Sequence, residues 1–134
     1  WHVLCLNPNA IHLVIEHGLY NEYWQYVSSN PNAIHLLEKK LDKVDWHELS
    51  SNPNAIHLLE KNLDKVDWRA FSRNPNAIHI LENNLDKVDW NALSDNPNAI
   101  YLLETNLDKL DYDGWCGLSM NPNIFEEVVD FLLK

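Results

Sequence analysis

Four histidines, His12, His35, His57 and His79, each follow the tripeptide Asn-Ala-Ile, and Tyr101 takes the same place in the next copy. Imidazoles are the commonest metal ligands and proton carriers near neutral pH. Their equivalence argues against a shared ion: side chains repeated on neighbouring helices sit about 8–10 Å apart, while zinc needs bonds of about 2 Å. A surface ladder is the expected arrangement, and a pH-sensitive binding stripe is its functional rival. Paired carboxylates recur as Asp42/Asp45, Asp64/Asp67, Asp86/Asp89 and Asp108/Asp111. Such pairs suit acid–base chemistry, but an active site is a single asymmetric constellation, so helix capping explains a recurring pair better. The stretch Asp111-Tyr112-Asp113-Gly114-Trp115 hints at a calcium loop. With Gly114 sixth, Lys109 and Met120 fall at the first and twelfth positions, where Asp and Glu are required. Cys116 has no histidine placed beside it by sequence, and no Cys-x-x-Cys, His-Glu-x-x-His or Gly-x-Ser-x-Gly pattern occurs. These observations predict no catalytic residues, no metal and no cofactor.

A single period runs through all of these positions. Asn-Pro-Asn begins at Asn7, Asn30, Asn52, Asn74, Asn96 and Asn121, and a Trp lies six residues before each, at Trp1, Trp24, Trp46, Trp68, Trp90 and Trp115. Both series advance by 23, 22, 22, 22 and 25 residues, and they use every Pro and every Trp in the chain. A fixed period of this length marks a repeat architecture, in which each unit buries its apolar face only by stacking on the next. The expected organisation is one tandem-repeat domain over residues 1–134 with units beginning near each Trp. The chain opens at Trp1, within a unit and without an initiator Met, so a longer array or a processed product is expected.

Within the unit around Asn52, Asn-Pro reads as N-cap and first helical residue, which predicts a helix A over 53–63. Ala55, Ile56, Leu59 and Leu63 lie on its inner face and His57, Glu60 and Lys61 on its outer face. Asp64, with Asp67 three residues on, is expected to cap a short helix B that buries Val66, Trp68 and Phe71. If the Trp column forms the inter-repeat core, Trp68→Ala costs about 3–5 kcal/mol. The second Asn of each triplet, such as Asn54, either caps the first turn or belongs to a buried amide ladder that sets register. Short helices with short links give a right-handed all-α solenoid of about six 22-residue helix pairs. The leucine-rich repeat is the rival, but its Leu-x-Leu-x-x-Asn strand is missing.

The ends depart from the pattern. Gly18 suggests a helix C-cap, Gly117 is expected to loosen the last link, and the segment from Phe125 to Leu133 is strongly apolar, as though it meets a partner or a further domain.

The near-identical units bearing Asn-Pro-Asn-Ala-Ile-His-Leu-Leu-Glu and a following Trp resemble the short Asn-Pro-Asn tandem repeats of giant DNA virus proteins. That resemblance covers nearly the whole chain. It implies no assigned activity and no catalytic residue, and it suggests host cytoplasm or virion as the location.

A formal charge of −10, from 10 basic and 20 acidic residues, opposes nucleic-acid binding. No apolar run is long enough to span a membrane. Two thiols too far apart in the array to pair favour a reducing, intracellular setting. Relative to each Trp, the next residue and the one five later are free to change: Gln25/Ser29, His47/Ser51, Arg69/Arg73 and Asn91/Asp95. Each pair is spaced i, i+4 and shares a helix face. A constant core with one variable stripe is how modular protein binders are built. The arginines are the best placed to grip a carboxylate. The expectation is therefore a non-enzymatic scaffold binding a protein or peptide through this stripe. The alternative is an assembly element, a filament or virion component in which further copies of the chain stack end to end.

Overall fold

The computed structural model describes residues 2–17 and 21–124. Gly18 and the segment from Phe125 to Leu133 lie outside them. Helices alternate between two roles. Helix B of successive repeats is α1 (His2–Leu6), α3 (Trp24–Ser29), α5 (Trp46–Ser51), α7 (Trp68–Arg73), α9 (Trp90–Ser94) and α11 (Tyr112–Met120). Helix A is α2 (Ile11–His17), α4 (Ile34–Leu37), α6 (Ile56–Glu60), α8 (Ile78–Leu81) and α10 (Ile100–Glu104). The described residues contain no strand, so the architecture is an all-α helical-repeat solenoid and not a leucine-rich one. The chain forms two compact units, 1–67 and 68–134. In the first, α3 packs against α1 and α5; in the second, α9 packs against α7 and α11.

Helix A is shorter than expected, and Asn-Pro-Asn does not cap it. In the third repeat Asn52 ends α5 with extended backbone, φ −77° and ψ 114°, the region that a following Pro enforces. Its carbonyl accepts the Ala55 N–H at 3.1 Å, closing a turn over Pro53 and Asn54. The Asn52 side-chain oxygen accepts the Asn54 N–H at 3.1 Å. Residues 52–55 are thus an Asx turn between helices, and α6 begins at Ile56 with no side-chain cap. The far end of helix A is closed by a separate asparagine: Asn62, Asn84 and Asn106 donate to the carbonyls of Leu58, Ile80 and Leu102 at 2.8, 2.8 and 2.9 Å.

Helix B is capped by the second aspartate of each pair, not the first. Asp45 accepts from the Glu48 N–H at 3.1 Å and Asp89 from the Ala92 N–H at 2.9 Å. Asp111 accepts from the N–H groups of Asp113 and Gly114. Asp64 and Asp86 are exposed in the turns that precede. The shift follows from where helix B begins, at Trp46 and Trp90 and, in the last repeat, at Tyr112, which puts Asp45, Asp89 and Asp111 in the N-cap position.

Small and branched residues fill the core. Ala33, Ala55, Ala77 and Ala99 are buried with Leu37, Leu59, Leu81 and Leu103 from helix A, and Leu49, Phe71, Leu93 and Leu118 from helix B. Val66 and Phe71 are buried as expected. The Trp column is not core: Trp24 is buried, but Trp46, Trp68, Trp90 and Trp115 are half-exposed. Trp46, Trp68 and Trp90 sit at the first residue of a helix, beside the turn, and Trp115 one turn into α11. Lys65 lies over Trp46 and Lys87 over Trp68, 5.1 and 5.3 Å from the ring centres, so the lysines cover rings that the packing leaves open. Phe71, fully enclosed with its ring edge-on to Trp68, is the side chain whose truncation costs about 3–5 kcal/mol.

Side-chain-to-backbone hydrogen bonds cross from one repeat to the next. In the first unit Asn30 Nδ2 donates to Cys5 O at 2.7 Å and Asn7 O at 3.3 Å, and Asn52 Nδ2 to Ser28 O at 3.0 Å. In the second, Asn96 Nδ2 donates to Ser72 O and Asn74 O at 2.9 Å each, and Asn121 Nδ2 to Ser94 O and Asn96 O at 2.9 Å each. The second Asn of each triplet adds an outer rung: Asn32, Asn54 and Asn98 donate to the carbonyls of Pro8, Pro31 and Pro75. A third rung comes from serine. Ser28, Ser50 and Ser72 accept the N–H of Asp45, Asp67 and Asp89, 17 residues on, at 3.0–3.1 Å. An amide ladder therefore does set register. Its buried rung is the first Asn, and the second Asn forms the exposed one.

The last repeat extends this scheme. The insertion Tyr112-Asp113-Gly114 starts α11 early under the Asp111 cap. A Cβ at Gly117 would run into Ser94 Oγ, and one at Gly114 into Asn91 Oδ1. Gly117 thus lets α11 seat closely on α9 and tightens a link it was expected to loosen.

Removing one inner rung should hurt more than removing an outer one. Asn96→Ala strands two buried carbonyls and the Asn98 N–H and should cost about 2–4 kcal/mol. Asn98→Ala removes one exposed bond and should cost less than about 1 kcal/mol. Urea denaturation of both variants checks this, and equal losses would mean the buried rung carries no special weight.

Candidate functional site: the variable face of helix B

The two variable positions lie on helix B, one turn apart. In the first unit Gln25 and Ser29 stand on α3 and His47 and Ser51 on α5; Gln25, His47 and Ser51 are exposed and Ser29 half-buried. In the second unit Arg69 and Arg73 stand on α7, Asn91 stands on α9, and Asp95 is its C-cap; all but the half-buried Asn91 are exposed. The two positions between them, apolar in Leu49, Phe71 and Leu93 and constant in Ser50, Ser72 and Ser94, are buried.

The stripe is partly wired to the next repeat. His47 Nδ1 lies 2.7 Å from Asp67 Oδ2 and Asn91 Nδ2 donates to Asp111 Oδ2 at 2.7 Å. In each case the residue after Trp reaches the aspartate that precedes the following helix B. Arg73 Nε pairs with Asp95 Oδ2 at 3.2 Å, so the carboxylate one arginine grips is the chain's own. Arg69 makes no ion pair with a described residue. It lines an open groove with Arg73, Asp89, Asn91, Asp95 and Asp113, a charge-mixed surface with three carboxylates against two guanidinium groups. It is not a clean anion site.

Two electrostatic shifts follow from these contacts. The Asp67 hydrogen bond raises His47 above the ordinary imidazole value. Bonds from the Gly114 N–H first, and from Asn91 next, hold the Asp111 carboxyl below its usual range. Burial raises the Cys5 thiol, whereas Cys116 is exposed. Cys5 occupies the register of the buried Ser28, Ser50, Ser72 and Ser94, and its carbonyl takes the Asn30 amide. The signal for that role in the sequence is its position two before Asn-Pro, not its thiol.

His12, His35, His57, His79 and Tyr101 are all exposed on helix A. His57 Nε2 lies 2.6 Å from Glu38 Oε1 of the preceding repeat. Among the described residues no three His, Cys, Asp or Glu side chains converge on a metal-sized site. None of their helices is long and apolar enough to cross a membrane. No family model, curated protein or solved structure matches the chain.

A titration tests the wiring. His47 should titrate above the ordinary imidazole pKa of about 6.5, and Asp67→Asn, which keeps an amide in place of the charge, should lower it. Because the folded pKa is raised, the pair stabilises fully below about pH 6.5 and its contribution fades as pH rises through the folded value. Resolved histidine NMR signals give the result directly; a His47 pKa unmoved by Asp67→Asn would remove the bond from solution.

Proposed function

We propose that the chain is a non-enzymatic repeat scaffold that binds a protein or peptide through the variable face of helix B. One observation carries the reading: on helix B the residues one and five after Trp change in chemical class between copies, and Gln25, His47, Ser51, Arg69, Arg73 and Asp95 among them are exposed, whereas Val27, Leu49, Phe71 and Leu93 vary only among buried apolar types and Ser28, Ser50, Ser72 and Ser94 repeat as buried serines. A fixed frame with an exposed variable stripe is the design by which repeat proteins acquire partners. The mixed charges around Arg69, Arg73, Asp89 and Asp95 suit a polar, doubly charged segment better than a uniformly charged polymer, since nucleic-acid contact requires clustered basic groups. The resemblance of the unit to viral Asn-Pro-Asn repeats supports a place in host cytoplasm or virion.

Photo-crosslinking separates this face from the rest. A crosslinking amino acid at Gln25 or Arg69 should give discrete protein adducts in extracts of the source cells. The same group at the exposed positions Lys39 or Glu82, just past the ends of α4 and α8, should not. Equal adducts from both faces, or none from the stripe, would refute the assignment.

A further inference from the structure

The groove at Arg69 has a polarity that the rest of the helix-B stripe lacks. It opens in the second unit, where α9 packs against both α7 and α11, and its volume is about 250 Å³. Most of its charges are already engaged within the unit. Arg73 Nε pairs with Asp95 Oδ2 at 3.2 Å, and Asp89 Oδ1 accepts the Ala92 N–H at 2.9 Å as the cap of α9. Two charges are left over, one from each flanking helix. Among the described residues, neither the Arg69 guanidinium on α7 nor the Asp113 carboxylate on α11 has an ion pair or hydrogen bond, and both residues are exposed.

Asp113 has no counterpart in the earlier repeats. It belongs to the insertion Tyr112-Asp113-Gly114 that lengthens the last period from 22 to 25 residues. Local bonds fix where it stands. The Asp113 N–H donates to Asp111 Oδ1 at 2.9 Å, and Asp111 is tied in turn to α9. Asn91 Nδ2 donates to Asp111 Oδ2 at 2.7 Å, and Asn91 Oδ1 accepts the Asp111 N–H at 3.3 Å. A Cβ at Gly114 would run into Asn91 Oδ1, so glycine lets this turn close on α9. The insertion thus sets a carboxylate, on a pinned backbone, in the same groove as the Arg69 guanidinium. The stripe of the first unit offers Gln25, Ser29, His47 and Ser51, of which only His47 titrates, and Asp67 engages it.

We propose that this groove selects a partner segment with an acidic and a basic side chain two residues apart, the carboxylate on Arg69 and the cation on Asp113. The inference rests on helix B being the partner-binding face and names what its second unit recognises. A groove smaller than the ~300–1,000 Å³ of small-molecule pockets has room for a pair of side chains. In an extended segment, residues i and i+2 project from one side about 7 Å apart. Arg69 presents a planar fork that matches a carboxylate. Opposed signs in one groove also discriminate against segments of a single charge: an acidic one meets Asp89, Asp95 and Asp113, and a basic one meets Arg69 and Arg73.

An acetylated and amidated Gly-Glu-Ala-Lys-Gly peptide, titrated into the whole chain and followed by NMR, tests this. The side-chain signals of Arg69 and Asn91 should shift saturably. Replacing the Glu or the Lys of the peptide by Gln should each weaken binding about two- to fivefold, the effect expected of exposed ion pairs. Crossing the variants reads the pairing. Arg69→Gln should weaken the parent peptide by that factor and leave the affinity of the Gln-for-Glu peptide unchanged. Asp113→Asn should do the same with the Gln-for-Lys peptide. Both substitutions lie at exposed sites and should leave the helical spectrum unaltered. Binding indifferent to one of the peptide charges, or to one of the two substitutions, would overturn the proposal. So would the absence of any shift; adducts still formed from Gln25 would then leave the helix-B reading standing, and their loss would remove that reading as well.

Discussion

One primary amide, that of the first asparagine in each Asn-Pro-Asn, holds the repeat together in two directions at once. Its oxygen accepts the N–H two residues ahead and folds the turn between helices. Its nitrogen reaches back to carbonyls of the preceding repeat. Those carbonyls belong to the last turn of helix B, where backbone acceptors have no partner within the helix. Burying them without a donor would cost about 1–3 kcal/mol each. The amide thus removes a penalty that stacking such short helices would otherwise incur. No hydrophobic residue can do this, and aspartate would bring a buried charge and no donor.

The serine column completes the arrangement. Ser50 and Ser72 Oγ donate to the Trp46 and Trp68 carbonyls of their own helix and accept an aspartate N–H from the next repeat. The aspartate then caps helix B with its side chain. A chain of satisfied polar groups runs alongside an alanine and leucine core too thin to specify register by itself. Buried Asn, Ser and Ala columns are therefore fixed by hydrogen-bond geometry and by close approach. The helix-B surface is free to carry Gln25 in one copy and Arg69 in another, and that freedom is the physical basis for reading function there.

The period, the two short helices per unit and the burial of Leu59, Val66 and Phe71 were legible in the sequence, because apolar spacing alone determines them. The boundaries were not. Asn52-Pro53 reads equally well as the start of a helix and as an Asx turn ending one; a bond to Ser28 O, 24 residues away, decides the matter, and no local pattern contains it. Trp68 departs from the expected burial for a related reason. Its apolar ring suggested core, whereas its place at the first residue of a helix leaves the indole under Lys87 at the surface. The stripe was found from the disagreement between copies. Its wiring through His47–Asp67 and Arg73–Asp95 required the spacing between neighbouring helices, which one repeat cannot supply.

The central claim is that the first asparagine amides are buried rungs, and side-chain amide hydrogen exchange measures this directly. The NH2 groups of Asn30, Asn52, Asn96 and Asn121 should exchange far more slowly than those of Asn32, Asn54 and Asn98, with protection comparable to backbone amides of the core. If both sets exchanged at the same rapid rate, the amides would be open to water, and the stack would have to be held by its apolar core alone.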